Sequence, residues 1–466
     1  MAYQIDLPDH VVSFANLFFS KGYQVYPVGG CVRDSLLQKP ITDWDFATDC
    51  APEKMLEFIP HAKYENSFGT VLVPIKLADE TTIIFEITPF RTESMYTDSR
   101  HPGAIEWAKT IDEDVQRRDF TINAIAYDIQ YKKLIDLVEG ERDIMARCIR
   151  AVGNPKIRFQ EDALRMLRAI RFSAQLGFTI EENTFNALTE LAPTIQNISW
   201  ERIRDELNKI ITAPQLADTP SPFLLLHQSG LLAYILPELD ACFGVDQKSP
   251  ERHHTNDVAT HLLDALRYCP SQNPIVRWAT LLHDIGKAQT REVDPESGIT
   301  TFYNHEVVGA QQAEEIARRL RFSKKDREFL VKLVRYHMFS VEESQTDKSI
   351  RRFIRRVGKD HIQDMLDIRT SDRLGSGTPE SSWRTELFKQ RIIDVQKQPF
   401  EIRDLAIKGE HIMEKLGIKP SPAIGKILKA LFEEVVDGTL ENELDTLLDR
   451  LEIIAEPLLA DSLPLD

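Results

Sequence analysis

The hydrophobic period of this chain changes near residue 150, and that change limits the folds open to it. Between residues 22 and 140 the apolar residues come in short runs separated by turns. Tyr23–Val28, Val71–Leu77, Thr82–Thr88 and Lys133–Val138 are rich in Val, Ile and aromatics and read as strands. Val11–Ser20 and Gly30–Leu37 read as helices. From about Asn154 the spacing is helical, over Glu161–Leu176, Glu182–Leu191 and Trp200–Ile211, with Ser199 as a candidate N-cap. Residues 250–375 form a second helical block dense in His and Asp, and 403–460 a smaller helical tail. Pro214–Pro222 and Ser376–Glu380 have linker composition. The expected class is α+β, with a small mixed β-sheet unit over 1–150. All-helical units follow over 151–245, 246–375 and 400–460.

A chain of 466 residues is too long for one ordinary core. Its 42% hydrophobic and 28% charged residues exclude a disordered chain. No apolar run is long enough to span a bilayer, and Met1–Asp9 lacks a secretory pattern. The five cysteines are scattered without a Cys-x-x-Cys pair, which fits a reducing cytoplasm and argues against a zinc ribbon or disulfide framework. The net charge of −16 sits mostly in the tail, where Phe432–Asp466 holds eleven acids against one arginine. Glu141–Gly177 has eight bases against four acids, and Lys348–Arg356 is a basic helical face. Local basic surface can meet phosphates on an acidic chain.

Val28-Gly-Gly-Cys-Val-Arg-Asp34 follows a strand and opens a helix. Gly29 and Gly30 let a ligand approach the backbone, and Arg33 offers a bidentate phosphate donor. Nine residues on, Asp43 and Asp45 stand at i and i+2, so on a strand they share a face. Two such carboxylates repel unless a cation lies between them, and Mg²⁺ suits oxygen ligands and phosphates. Glu86 lies in the apolar run Ile83–Thr88. Buried there it needs a partner, either a metal or Arg91.

These motifs resemble the class II tRNA nucleotidyltransferases and bacterial poly(A) polymerases, which share a polymerase-β-like palm. The resemblance rests on Gly29-Gly30-x-Val32-Arg33-Asp34, Asp43-x-Asp45, Arg117-Arg-Asp-Phe-Thr-Ile-Asn-Ala124 and Glu161-Asp-x-x-Arg165-x-x-Arg168, in family order. It implies metal-dependent addition of C, C and A to a tRNA 3′ end from CTP and ATP. Asp43, Asp45 and Glu86 would be catalytic, with Mg²⁺ on Asp43 and Asp45. Gly29, Gly30, Arg33, Arg117, Arg118, Asp119, Asn123 and Arg168 would bind the nucleotide, and Asp162 with Arg165 would select the base. Trp200–Glu206 resembles a motif that supports the base-selecting helix. Arg91–Pro102 matches a loop of the CCA-adding members. Ile407–Leu428 resembles a tail segment for the tRNA elbow, with Lys408, Lys415, Lys419 and Lys426 on phosphates. The alternatives are a poly(A) polymerase, an A-only or CC-only enzyme, and a phosphohydrolase with an inactive palm.

A second group begins with adjacent His283 and Asp284 in the apolar helix Trp278–Ile285, where burying both is costly without a partner. Imidazole plus carboxylate suits Mn²⁺, Ni²⁺, Fe²⁺ or Zn²⁺, with Mg²⁺ a further option. His261, His283, Asp284 and Asp372 match the four defining positions of the HD phosphohydrolase superfamily. His305 and His337 match the extra histidines of its two-metal members, with His254 a further match. That resemblance implies a metal-bound phosphate-ester hydrolase, here able to trim a damaged tRNA end.

Overall fold

A computed structural model describes residues 5–41, 43–65, 69–77, 79–96, 102–214, 220–247, 257–296, 298–396 and 402–460. The class is α+β, as the change of period implies. The chain forms two compact units, Met1–Phe243 with Ile316–Ser323, and Gly244–Glu315 with Lys324–Asp466.

The first unit is built on a five-stranded mixed sheet. Its strands are β1 (Val25–Pro27), β2 (Trp44–Thr48), β3 (Lys63–Tyr64), β4 (Val71–Lys76) and β5 (Thr82–Pro89), in the order β1-β2-β5-β4-β3. Only the β2–β5 pair is parallel. Alternation along the strands gives the sheet two unlike faces. Phe46 and Phe85 point to the apolar face, where Phe14 of α1 (Asp9–Phe19) lies 5.2 and 5.0 Å from their ring centroids. Burying each such ring contributes about 1.5–3 kcal/mol. Asp45 and Glu86 project from the other face. Glu86 is therefore exposed beside exposed Ile84, not buried as the apolar run suggests, because the run is apolar on one face only.

Two further segments differ from the reading of the sequence. Arg91–Pro102 does not form a loop throughout but enters an antiparallel hairpin of β6 (Arg91–Tyr96) and β7 (Pro102–Trp107). Its polar run carries no alternating apolar pattern to signal a strand; residues 97–101 lie outside the described residues. Glu161–Leu176 is not one helix. A helix α2 (Gly30–Leu36) follows β1, α3 (Ile111–Gln116) follows the hairpin, α4 (Pro155–Glu161) ends at Asp162, and α5 (Leu164–Leu176) begins after it. Asp162 is extended, at φ −147° and ψ 106°, and its Oδ1 accepts from the Leu164 amide at 3.0 Å. Aspartate competes with helix continuation by this kind of cap. The helix α6 (Trp200–Ile211) packs on α5; Ser199 occupies its N-cap position, but its side chain makes no capping bond.

The second unit is helical. Its main helices are α7 (Val258–Arg267), α8 (Pro274–Leu282), α9 (His305–Arg319, of which the end from Ile316 belongs to the first unit), α10 (Lys324–Tyr336), α11 (Asp347–Val357) and α12 (Ile362–Gly375). The tail follows as α13 (Gly409–Leu416), α14 (Pro422–Val436) and α15 (Leu444–Ala460), around Ile412, Ile427, Leu431, Leu447 and Leu451. Between α7 and α12 the approach is backbone-tight. A Cβ built on Gly375 would lie 2.6 Å from the Ala265 nitrogen and 2.8 Å from its Cα. Gly375→Ala is expected to destabilise by about 1–3 kcal/mol, since backbone must move. Gly425 of α14 has open space where its Cβ would stand, so Gly425→Ala should stabilise by up to about 1 kcal/mol. Urea unfolding midpoints of the two variants check both signs.

Candidate functional site

In the first unit the loop after β1 is the meeting point. Gly29 has φ +74°, a conformation that suits glycine. A Cβ there would stand 3.1 Å from Arg118 Nη1, 3.7 Å from the Asn123 carbonyl and 4.0 Å from Asp45 Oδ2. Strand register sets Asp45 directly opposite Glu86. Asp43 and Glu86 are exposed, and Asp45 is half-buried. Burial raises the Asp45 carboxyl above its ordinary pKa; Asp43 adds to this, while Arg118 and Arg33 oppose it. Although Glu86 is exposed on the sheet face, partial desolvation by its neighbours raises its pKa, and Asp45, Glu65 and Asp43 add to this. Acids crowd acids here, and a cation is the species that would relieve them. The donor set fits a hard divalent ion.

Around this edge the arginines are held by carboxylates. Buried Asp114 accepts from Arg117 at 2.6 Å and from Arg118 at 3.0 Å. Asp119, expected to bind the nucleotide, is buried and accepts from Arg168 Nε at 2.7 Å and from the Phe120 amide at 2.9 Å. Arg33, expected on phosphate, is buried, forks onto Asp34 at 2.9 Å and donates to Asn123 Oδ1 at 2.6 Å. Asp162 and Arg165, expected as a pair, turn to other partners. Asp162 accepts from Arg202 of α6 at 2.7 Å, and Arg165 donates to Glu161 and to the Arg158 carbonyl. The cause is the helix break, which takes Asp162 off the shared helical face. Glu206 of α6 holds Arg171 at 2.6 Å. The Phe172 ring lies under three guanidiniums, those of Arg33, Arg168 and Arg171, at 5.6, 5.4 and 4.3 Å.

No motif in the sequence singles out Asp114. Its signal is spacing: it stands at i−3 and i−4 to the two arginines on a helix.

In the second unit six side chains converge. His261 comes from α7, Asp372 from α12, His283 and Asp284 follow α8, His305 opens α9 and His337 follows α10. His261, His283 and Asp372 form one set whose ligand atoms lie within 4.8 Å of one another; Asp284, His305 and His337 form another. Among the described residues these are the sets of three or more that meet that distance. Asp284 faces both: Oδ2 is 3.6 Å from His261 and 3.4 Å from His283, and Oδ1 is 3.1 Å from His305 and 3.5 Å from His337. His254 lies outside the described residues.

Three of the imidazoles are oriented alike. Nδ1 of His283, His305 and His337 meets the carbonyl three residues back, of Thr280, Phe302 and Val334, at 2.8, 2.8 and 2.7 Å. In the neutral ring, with the proton on Nδ1, Nε2 would present a lone pair inward. Nε2 of His305 and of His337 is buried without a hydrogen-bond partner. Lone pairs close to a carboxylate call for a cation between them, so the residues present fit a metal. Burial pulls the His283 pKa down, but Asp284 and Asp372 bring it up to about 10, so without a metal its Nε2 also carries a proton, which a bound ion would displace. Burial would raise Asp284; Lys287, 2.6 Å away, and His283 hold it well below the usual carboxylate range instead. Lys287 thus belongs to this group although no metal-ligand pattern points to a lysine; its place one helical turn after Asp284 is its sequence signal.

Three family models match: the poly A polymerase head domain over 25–150, a probable RNA and SrmB-binding site of polymerase A over 177–243, and a putative tRNA nucleotidyltransferase domain 2 over 296–451. The CCA-adding enzyme of Streptococcus gordonii is 32% identical over 427 residues, 91% of this chain and 92% of that protein. The chain belongs to the CCA-adding enzyme family of tRNA nucleotidyltransferases. An A-adding tRNA nucleotidyltransferase of Deinococcus radiodurans is 34% identical over 69% of this chain and 75% of that protein. The crystal structure of the Bacillus stearothermophilus CCA-adding enzyme in complex with CTP matches with a TM-score of 0.72 at 26% identity, over 98% of this chain and 100% of that one. Membership of this nucleotidyltransferase family implies use of a divalent metal. Among the described residues no helix is long and apolar enough to cross a membrane.

Asp114 gives this nucleotidyltransferase a testable pH signature. Burial would raise its pKa, but Arg118 and Arg117 more than offset that and lower it. The unfolded chain binds this proton more readily than the fold, so Asp114 stabilises the fold above its unfolded pKa of about 4. That contribution is lost as pH falls through the lower, folded value. Asp114→Asn is expected to cost about 3 kcal/mol near neutral pH and to flatten the loss of stability on acidification. Denaturant unfolding at a series of pH values measures both.

Proposed function

We propose that this protein adds C, C and A in turn to the 3′ end of tRNA, with CTP and ATP as donors and no nucleic-acid template. The observation that carries the reading is the convergence of Gly29, Asp45, Arg118 and the Asn123 carbonyl at one sheet edge, in a chain that matches CCA-adding enzymes over nearly its full length. The tRNA 3′-hydroxyl oxygen attacks the α-phosphorus; the new O3′–P bond forms as the bond from that phosphorus to the α–β bridging oxygen breaks, pyrophosphate leaves with the bridging oxygen, and the hydroxyl proton passes to solvent. Asp43 and Asp45 would hold Mg²⁺, with Glu86 as the third carboxylate. An ion held there would lower the hydroxyl pKa and neutralise charge on the leaving oxygens. Gly29 and Gly30 put no side chain in the way of the triphosphate. Arg117 and Arg118, set by Asp114, face its charge, while Arg33 and Asn123 hold α2 in place. Asp119 fixes Arg168, and Asp162 with Arg165 selects the base at the α4–α5 junction.

In this reading residues 1–150 are the catalytic palm, 151–245 select the base and bind tRNA, and 400–460 meet the tRNA elbow. The reaction belongs in a reducing cytoplasm, where free cysteines such as Cys31 and Cys50 persist. Residues 246–375 act as an HD-type phosphohydrolase that trims phosphate from damaged ends. His261, His283 and Asp372 would hold one transition-metal ion, of Mn²⁺, Ni²⁺, Fe²⁺ or Zn²⁺ type, and His305 and His337 a second. Asp284 would be shared. A metal there supplies an activated hydroxide.

The Deinococcus radiodurans relative favours a second reading, in which only the terminal A is added. One assay separates them: tRNA lacking three, two or one terminal nucleotides is offered with CTP and ATP, and the products are sequenced. Stepwise C, C, A and then a stop is expected; extension only of the substrate lacking one nucleotide selects A-addition, and long A tails select a poly(A) polymerase. Asp45→Ala should lower incorporation by about 10³-fold or more.

Hydrolysis of p-nitrophenyl phosphate or a 2′,3′-cyclic phosphate with Mn²⁺ or Ni²⁺ is expected of the intact protein and not of Asp284→Ala. No metal-dependent turnover of either ester would remove the second activity.

A further inference from the structure

The arginines of the first unit's site are met by carboxylates, those of Asp114, Asp119 and Glu206. In the second unit, buried Arg277 donates instead to the carbonyls of Leu266, Cys269 and Ser271. Arg369 of α12 is different. Half-buried, it donates to the Phe339 carbonyl at 3.0 Å, and its Nε is buried without a hydrogen-bond partner. Among the described residues it forms no ion pair. Burial lowers its pKa; Asp372 opposes that and Arg373 adds to it. A guanidinium withdrawn from water without a paired carboxylate is costly, and a bound anion is what would offset that cost.

The position of Arg369 says which anion. It stands three residues before Asp372, on the same side of α12. Phe339, whose carbonyl it holds, follows His337 by two residues. The side chain thus ties together the two segments that bring His337 and Asp372 to the site. This is the open edge of the cluster: the Asp372 side chain is 36% exposed, while those of His261, His283, Asp284, His305 and His337 are 10% exposed or less. The guanidinium lies 5.0 Å from the centroid of the Phe339 ring, which packs in turn on Phe353 and Phe388 at 4.7 and 5.5 Å. Held on this stack and on a carbonyl, it is oriented in advance, and a ligand need not order it.

A guanidinium fork matches the oxygens of a phosphoryl group, and the His and Asp sets beside it suit the metal of a phosphate-ester hydrolase. We propose that Arg369 binds the phosphoryl oxygens of the substrate at the open edge of the second unit's site. That the anion is a phosphate ester rests on the phosphohydrolase reading above. A purely structural arginine, tying the segment after α10 to α12, would leave phosphate affinity untouched.

The test uses the full chain in saturating Mn²⁺. Inorganic phosphate is titrated in by calorimetry, bound Mn²⁺ is counted by electron paramagnetic resonance, and p-nitrophenyl phosphate hydrolysis is followed in parallel. Arg369→Met keeps an aliphatic stem on Phe339 and removes the charge. It is expected to raise the phosphate Kd and the KM for the ester about 10–100-fold, the loss that goes with a hydrogen bond to a charged group. Bound Mn²⁺ should not change, and kcat should fall less than kcat/KM. Should this variant melt early, Arg369→Lys, which keeps a charge but not the fork, is expected to weaken phosphate binding in the same direction. An unchanged phosphate Kd and KM in folded variants overturns the proposal. So does a loss of bound Mn²⁺ that accounts for the weaker binding, and so does an unaltered protein that binds no phosphate. If phosphate binds through Arg369 yet neither that ester nor a 2′,3′-cyclic phosphate is hydrolysed, the anion site stands and the phosphohydrolase reading fails.

Discussion

The sheet edge of the first unit depends on keeping several guanidiniums still beside carboxylates that repel one another. Asp114 meets the first requirement from inside the protein, binding Arg117 and Arg118 with its two oxygens. Asp119 does the same for Arg168 and Glu206 for Arg171. Phe172 gives Arg33, Arg168 and Arg171 a common apolar surface. Each arginine is thus oriented by a group that does not need the substrate. Preorganised dipoles and charges of this kind act without reorganising when charge develops on a phosphate.

The second unit uses another device for the same end. Three of its histidines, His283, His305 and His337, are oriented by the local backbone, each Nδ1 against a carbonyl three residues earlier. The backbone thereby sets the tautomer, and five chain segments need only bring the rings together. The close approach of α7 and α12 at Ala265 and Gly375 serves that purpose, since those helices carry His261 and Asp372, 3.2 Å apart.

Much of the architecture is legible in the sequence because it rests on periodicity. The runs containing β1, β4 and β5 are visible from alternation and from β-branched residues. The sequence bounds of Glu182–Leu191 and Trp200–Ile211 coincide with the helices formed. What is not legible is set by single polar interactions. Nothing in the apolar spacing around Asp162 announces that its carboxylate caps α5 and meets Arg202. The Glu86 environment escapes a linear reading because a run of Ile, Phe and Ile looks buried on both faces, while one face of this sheet is open. The hairpin at 91–107 is held by backbone pairing, which leaves little mark on composition. In the second unit the six His and Asp residues can be grouped by type, but the division into two sets and the double role of Asp284 emerge only in three dimensions.

That double role has a consequence for how the second unit handles ions. A carboxylate that gives one oxygen to each of two ligand sets makes them a single electrostatic object. An ion in one set would draw charge from the shared group and change the field at the other. Occupancy at the two positions would then be thermodynamically linked, and by reciprocity each ion would alter the other's affinity by the same factor. Lys287, 2.6 Å from the same carboxylate, is a resident positive charge with which any ion there would share it.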